Sequence, residues 1–256
     1  MNLLLSNDDG ISAPGLAALE HGLGPQGTCW VIAPAGEYSA GSHALSLHRP
    51  LRVTPAGERR FAVDGSPADC IYLGLAHFVP ERPAAVVCGI NRGANVSLDV
   101  YYSGTVAAAR EAAMWGVPAV SASLFTDGGG AQGELHWATA AHFASRVVGE
   151  VLARGIGFEG SLNLNVPNLP LAEVRGLRVA RLGRRHWSRV VDARRDIKGR
   201  PYFWIGGHHQ GFDDIPDSDG PNIQQGWATL TPLRLDCTDE PMLGELAAWD
   251  TVCTER

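Results

Sequence analysis

Two adjacent aspartates, Asp8 and Asp9, stand directly after the apolar run Leu3-Leu4-Leu5 and before Gly10. Neighbouring carboxylates repel each other unless a cation sits between or beside them. By itself Asp8-Asp9-Gly10 reads as a turn, since Asp and Gly favour turns. At the end of a buried first strand it becomes a candidate for chemistry. Two further polar segments stand in equivalent places. Ser39 lies in the loop after the apolar run Trp30-Val31-Ile32-Ala33-Pro34, and Asn91 and Asn95 follow the run that ends at Cys88. Carboxylates, hydroxyl and carboxamides are hard oxygen donors, which suit Mg²⁺, Mn²⁺ or Ca²⁺ better than zinc. A second constellation, Ser103-Gly104-Thr105, opens an alanine-rich helical stretch. Free N–H groups at a helix start bind phosphate, glycine lets the anion approach, and the two hydroxyls add donors. Alone this is an ordinary serine N-cap. A hard-metal candidate and an anion cradle after neighbouring strands together point to phosphoryl chemistry.

Other residues carry less. His43 and His48 lie in the Ser39 loop and could assist, although loop histidines are commonly solvated. His208-His209 is no metal pair if extended, because adjacent strand residues face opposite ways. Trp187, Tyr202 and Trp204 suit packing or a subunit contact better than base stacking, and the arginines from Arg181 to Arg185 suit a solvated or contact face. Lys198, the only lysine, sits in a polar loop-like stretch, so no Walker-type lysine follows a glycine loop and P-loop chemistry is excluded.

The elements that must position these groups alternate. Short buried strands are expected at Leu3–Leu5, Trp30–Pro34, Ala85–Cys88, Ala119–Ser121 and Leu162–Val166. Helices are expected after Pro14, from the Ser66-Pro67 cap to His77, over 104–115 and from Leu135 to Leu152, with a hairpin turning near Gly57. Such alternation predicts a doubly wound, mostly parallel α/β sheet of Rossmann-like type, with ligands at the carboxyl ends of the strands. After about Pro170 the alternation stops. Residues 176–226 are polar and glycine-rich, with strand-like pieces at Leu177–Val179, Tyr202–Ile205 and Trp227–Leu230, and a helix near Pro241–Trp249 follows. The chain, 1–256, is read as one domain whose segment 176–226 is an extension of it or an arm that packs on another subunit.

Five segments in order make the chain resemble the survival protein SurE family of 5′/3′-nucleotidases: Ser6-Asn7-Asp8-Asp9-Gly10, Ala33-Pro34 with the Ser39 loop, Gly65-Ser66-Pro67-Ala68-Asp69-Cys70, Gly89-Ile90-Asn91-Arg92-Gly93-Ala94-Asn95 and Tyr102-Ser103-Gly104-Thr105-Val106. Asn163-Leu164-Asn165-Val166-Pro167 and Gly226-Trp227-Ala228-Thr229-Leu230-Thr231-Pro232-Leu233 extend the likeness over nearly the whole chain. The resemblance implies a Rossmann-like domain with an extended C-terminal arm and a divalent-metal phosphatase acting on nucleoside monophosphates. Some relatives also cleave short polyphosphate. It implies Asp8, Asp9, Ser39 and Asn91 as metal ligands, one ion per subunit, and Asn95, Ser103 and Thr105 as phosphate contacts. Either aspartate would orient or deprotonate the attacking water. There are two departures. The loop reads Glu37-Tyr38-Ser39, where relatives usually have a basic residue near the serine, and Ser66 stands where threonine is common.

A formal net charge of -6 argues against nucleic-acid polymers and anionic membranes as partners. The odd count of 5 cysteines, without Cys-x-x-Cys, fits buried thiols in a reducing cytoplasm. The leucine run near the N-terminus is too short for a signal peptide, and no stretch reaches transmembrane length. A homodimer or homotetramer is expected from the arm. Two rival readings remain open. A haloacid-dehalogenase-type phosphatase also begins with an aspartate after its first strand, but spaces its aspartates one residue apart and needs a lysine near phosphate. A non-catalytic Rossmann-like nucleotide-binding module would carry a Gly-x-Gly-x-x-Gly fingerprint, and Asp8-Asp9-Gly10-Ile11-Ser12 is not one.

Overall fold

The structure, a computed structural model, describes residues 1–126, 133–157, 159–247 and 249. Five apolar strands run parallel: β1 (Asn2–Ser6), β2 (Thr28–Pro34), and, labelled in chain order, β5 (Ala85–Arg92), β6 (Ala119–Phe125) and β7 (Gly160–Pro167). The hairpin β3 (Val53–Gly57) and β4 (Arg60–Val63) lies between β2 and β5 in sequence and extends one edge. The other edge is built by β8 (Leu177–Val179) and β13 (Ala228–Arg234), the latter antiparallel to β7. The sheet has nine strands in the order β3-β4-β2-β1-β5-β6-β7-β13-β8. The order reverses at β1, whose carboxyl end therefore opens onto a crevice between β2 and β5, the usual ligand position in an open parallel sheet.

Alternate side chains of β1 serve two opposite layers, as period-two geometry requires. Leu3 and Leu5 pack with helices α1 (Pro14–Leu23) and α4 (Trp137–Arg154), through Leu16, Leu19, Ala144 and Val148. Leu4 packs on the other face with α2 (Pro67–Leu73) and α3 (Gly104–Met114), through Ile71, Ala108 and Ala112. The small side chains of α3 let it lie close to β5 and β6. Close approach is sharpest at Gly15, where a Cβ would stand 2.0 Å from the Ile90 carbonyl oxygen, so the start of α1 sits directly on β5. Helix α2 begins as expected: Ser66 accepts from the Asp69 N–H and Asp69 reaches back to the Ser66 N–H, closing a capping box. A serine hydroxyl makes this box as a threonine would, so that departure from the family pattern costs no cap.

The expected helix to His77 ends earlier as an α-helix and continues as one wide turn, Gly74–Phe78. Segment 176–226 is more ordered than a polar loop. Besides β8 it forms two antiparallel ribbons, β10 (Val190–Arg195) with β11 (Pro201–Gly206) and β9 (Arg185–Trp187) with β12 (His209–Phe212), and then helix α5 (Asp219–Gln224). Helix α6 (Glu240–Leu246) follows β13. Cys70 and Cys88 are buried, Cys29 is half-buried and Cys237 is exposed, all as free thiols, while Cys253 lies outside the described residues. Among the described residues no helix is long and apolar enough to cross a membrane.

Candidate metal and phosphate site

A cavity of about 1040 Å³ opens at the carboxyl ends of β1, β2 and β5, and its wall includes Asp8, Asp9, Ser39, Asn91, Asn95 and Ser103. The aspartates are held by a built turn. The Asn7 amide donates to the Gly10 carbonyl at 2.9 Å, and its oxygen accepts the Gly10 N–H at 3.2 Å. The Asp8 carbonyl accepts the Tyr38 N–H at 2.7 Å, which ties this turn to the loop that bears Ser39. Asn91 donates its amide to the Gly93 carbonyl at 2.8 Å, leaving its carboxamide oxygen available to a ligand. Asp9 accepts the Arg92 N–H at 3.1 Å through one oxygen.

Helix α3 differs from the sequence expectation. Thr105 is fully buried and spends both donors on Asp8, its hydroxyl at 2.5 Å and its N–H at 3.2 Å. In this structure Thr105 holds Asp8. Gly104 lies against the same carboxylate. A Cβ there would come within 3.0 Å of Asp8 Cβ and 3.1 Å of Asp8 Oδ2, so the glycine makes room for the aspartate. The positive end of the helix already faces a carboxylate of the chain itself. Ser103 accepts the Val106 N–H at 3.0 Å as an N-cap while lining the cavity, so its hydroxyl proton remains for a ligand.

Asn95 is fixed by a buried polar ladder that the sequence reading missed. Its carbonyl accepts from the amides of Asn163 at 2.7 Å and Asn165 at 3.1 Å, and its N–H donates to Asn165 at 2.8 Å. Its own amide donates to Ser123 at 2.8 Å. The Asn-Leu-Asn motif of β7 was visible in the sequence, and alternation placed both asparagines on one face. Also missed was the far wall, where Asp99 accepts from Arg185 at 2.7 Å and from the Trp187 indole at 3.0 Å. Of the histidine pair, His208 meets Ser188, and His209, the first residue of β12, packs between the rings of Trp187 and Phe212. Lys198 lies in the turn joining β10 to β11 and is not in the cavity wall.

The electrostatics favour a cation. Burial pushes the Asp8 carboxyl up to about 6, with the Thr105 hydroxyl pulling it down and the Asp9 charge raising it further. Burial also raises Asp9, as does the charge of Glu37, against the Arg92 N–H. Among the described residues no cluster of three or more His, Cys, Asp or Glu could hold a metal. The cavity donors are mixed: two carboxylates, the Ser39 hydroxyl and the Asn91 carboxamide. All are hard oxygens of the kind a divalent ion takes, and burial is the first cause that raises both carboxyls, with the Asp9 charge adding to Asp8 and the Glu37 charge to Asp9.

Comparison with known proteins places the chain. The family model described as "Survival protein SurE" matches residues 3–189. The protein "5'-nucleotidase SurE" of Geobacter sulfurreducens is 44% identical over 250 residues, covering 98% of this chain and 94% of its own. Its namesake in Moorella thermoacetica is 42% identical over 254 residues, covering 97% and 96%. The crystal structure of a SurE protein from Aquifex aeolicus superposes with a TM-score of 0.86 at 32% identity, covering 98% of this chain and 100% of the other.

Proposed function

The chain belongs to the survival protein SurE family, and from that premise we propose that it is a divalent-metal phosphomonoesterase that releases phosphate from nucleoside 5′-monophosphates. That it is a phosphoric monoester hydrolase follows from its relatives, named 5′-nucleotidases along almost their full length. The observation that carries the metal reading is the pair Asp8 and Asp9, both pushed toward neutrality in one cavity with Ser39 and Asn91. These four residues would hold the ion. A bound divalent cation would polarise a phosphate oxygen and acidify a water.

The remaining work falls to the chain. Thr105 fixes the Asp8 carboxylate through both oxygens, which makes Asp8 a rigid anchor. Asp9 has one oxygen on the Arg92 N–H and the other uncommitted, which suits it to orient the attacking water and accept its proton. Asn95, held by Asn163 and Asn165, and the Ser103 hydroxyl offer donors to the phosphate oxygens where negative charge grows. Their scaffold is set before substrate arrives, so little reorganisation is needed during the reaction.

Phosphate release from a panel of nucleoside 5′- and 3′-monophosphates and short polyphosphate, with Mn²⁺ or Mg²⁺ added, tests this reading. Turnover of 5′-monophosphates is expected. Tight nucleotide binding without any release would leave a non-catalytic binding module instead, and a trapped phospho-Asp8 would restore the dehalogenase-type mechanism.

We also propose that segment 176–226 makes subunit contacts. The ribbon β10–β11 leaves Phe203, Trp204 and Ile205 at 63%, 62% and 91% exposure. Aromatic and aliphatic side chains this open mark contact surfaces. Sedimentation is expected to give at least a dimer at micromolar concentration, and Phe203→Asp with Trp204→Asp should shift it to a smaller species. A wild-type monomer under those conditions would remove the proposal.

A further inference from the structure

We propose that Glu111 and His43 form a latch that positions Ser39, so that helix α3 registers both halves of the metal-donor set. The proposal rests on the metal reading above and adds a positioning pair to it.

Glu111 is an anomaly of α3. It lies among the buried alanines Ala107, Ala108, Ala112 and Ala113, with its side chain 5% exposed. A carboxylate this buried is tolerated only when paired. One oxygen meets His43 Nε2 at 2.8 Å, and the other accepts the Trp115 indole N–H at 2.9 Å. The His43 hydrogen bond, ahead of burial, holds the Glu111 carboxyl below its ordinary range.

A pair like this could simply staple a surface, but its location gives it a function. Residues 35–48 have no regular secondary structure, yet they carry Glu37 and Ser39 to the cavity. Ala40 and Ser42 hold left-handed backbone, φ 53° and 48°, which a loop keeps only when its surroundings impose it. The restraints are a row of straps. Ser42 donates to the carbonyls of Tyr101 at 2.7 Å and Tyr102 at 3.1 Å, and Ser66 donates to the Ala44 carbonyl at 2.6 Å. Ser46 donates twice to Asp69, both at 2.8 Å. His43 sits between these straps and supplies a tether to a buried carboxylate. Helix α3 grips Asp8 at its first turn through Thr105 and grips the Ser39 loop further along through Glu111. Partners that orient metal ligands from behind commonly cost 10–100-fold in affinity when removed.

The test is calorimetric titration of Mn²⁺ into the full-length chain, paired with thermal melting in chelator. His43→Ala is expected to bind Mn²⁺ about tenfold more weakly, at the low end because it acts through the three intervening residues Ala40, Gly41 and Ser42. Its metal-free melting point should fall, because Glu111 then keeps only the Trp115 indole N–H as a partner. Glu111→Gln keeps size and an acceptor for Trp115, and should show a smaller loss in the same direction. His43→Gln, able to donate to Glu111, should recover part of the affinity. If His43→Ala binds Mn²⁺ as wild type does, whatever its melting point, the latch is only a staple and the proposal is overturned. Should His43→Ala not fold, Glu111→Gln decides, and wild-type affinity there overturns it equally. A wild-type chain that binds no Mn²⁺ removes the metal reading and the latch together, an outcome distinct from the other two.

Discussion

Chelation is expected to abolish phosphate release, and Mn²⁺ or Mg²⁺ to restore it. The cavity supplies two carboxylates whose charged forms are disfavoured by burial, with Glu37 adding a third negative charge to Asp9. Without a cation these groups are poorly placed to bind a phosphate dianion. Lewis-acid stabilisation of this kind supplies several kcal/mol, so its loss should cost on the order of 10³-fold or more in rate. The pH dependence has a definite sign. Asp8 titrates at about 6 in the folded chain, above the ordinary 3.8. Below that value a proton occupies the carboxylate and the metal must displace it, so apparent metal affinity should fall as pH drops. In the chelated protein the same group lowers stability as pH rises from 3.8 through about 6, because the fold must then carry an unfavourable charge. Added Mn²⁺ should therefore raise the melting temperature most above about pH 6. Asp9→Asn removes one negative charge at nearly constant size. It should weaken metal binding, with part of the activity regained in excess metal. Full turnover in chelator, with absence of metal shown by elemental analysis, would sink the metal reading. An Asp9→Asn variant with wild-type metal affinity would remove Asp9 from the ligand set.

How far the sequence reached depends on whether a residue's role is local. The five parallel strands and α1–α4 follow from apolar runs and caps that neighbouring residues define, such as the Ser66 box and the run Leu3–Leu5. The carboxyl-end rule then gathers Asp8, Asp9, Ser39, Asn91, Asn95 and Ser103 around one cavity. Roles set by distant partners were not legible. The donors of Thr105 looked free because Asp8, 97 residues away in sequence, gives no local sign that it will occupy them. Asn163 and Asn165 were visible as a motif, but their work on Asn95 depends on β6 and β7 lying side by side. The ribbons β9–β12 carry few buried residues, so the alternation that betrays a strand through one buried face is weak there.

Thr105→Val separates the two roles that this residue could hold. Valine keeps the shape of threonine in a fully buried position, so the helix should survive, and the N–H to Asp8 Oδ2 stays in place. What disappears is the hydroxyl that donates to Asp8 Oδ1. Two consequences follow from that one bond. The Asp8 carboxyl should rise further, since the Thr105 hydroxyl is the largest influence pulling it down. Its orientation should also loosen, because one of its two fixed oxygens is released. Both changes reduce metal affinity, by up to about 100-fold for a partner in direct contact with a ligand. Saturating metal should then restore most of kcat. A phosphate contact would behave in the opposite way: metal affinity would be untouched, and kcat would fall by about 10²–10³-fold even at saturating metal, as when an oxyanion donor is lost. Thr105→Ser, which keeps the hydroxyl and gives up only a methyl group, should bind metal nearly as wild type. Metal titration on the three proteins, followed by kinetics at saturating Mn²⁺, distinguishes the two. Wild-type metal affinity in Thr105→Val together with a large loss of kcat would return Thr105 to the phosphate and leave Asp8 held by the helix N–H alone.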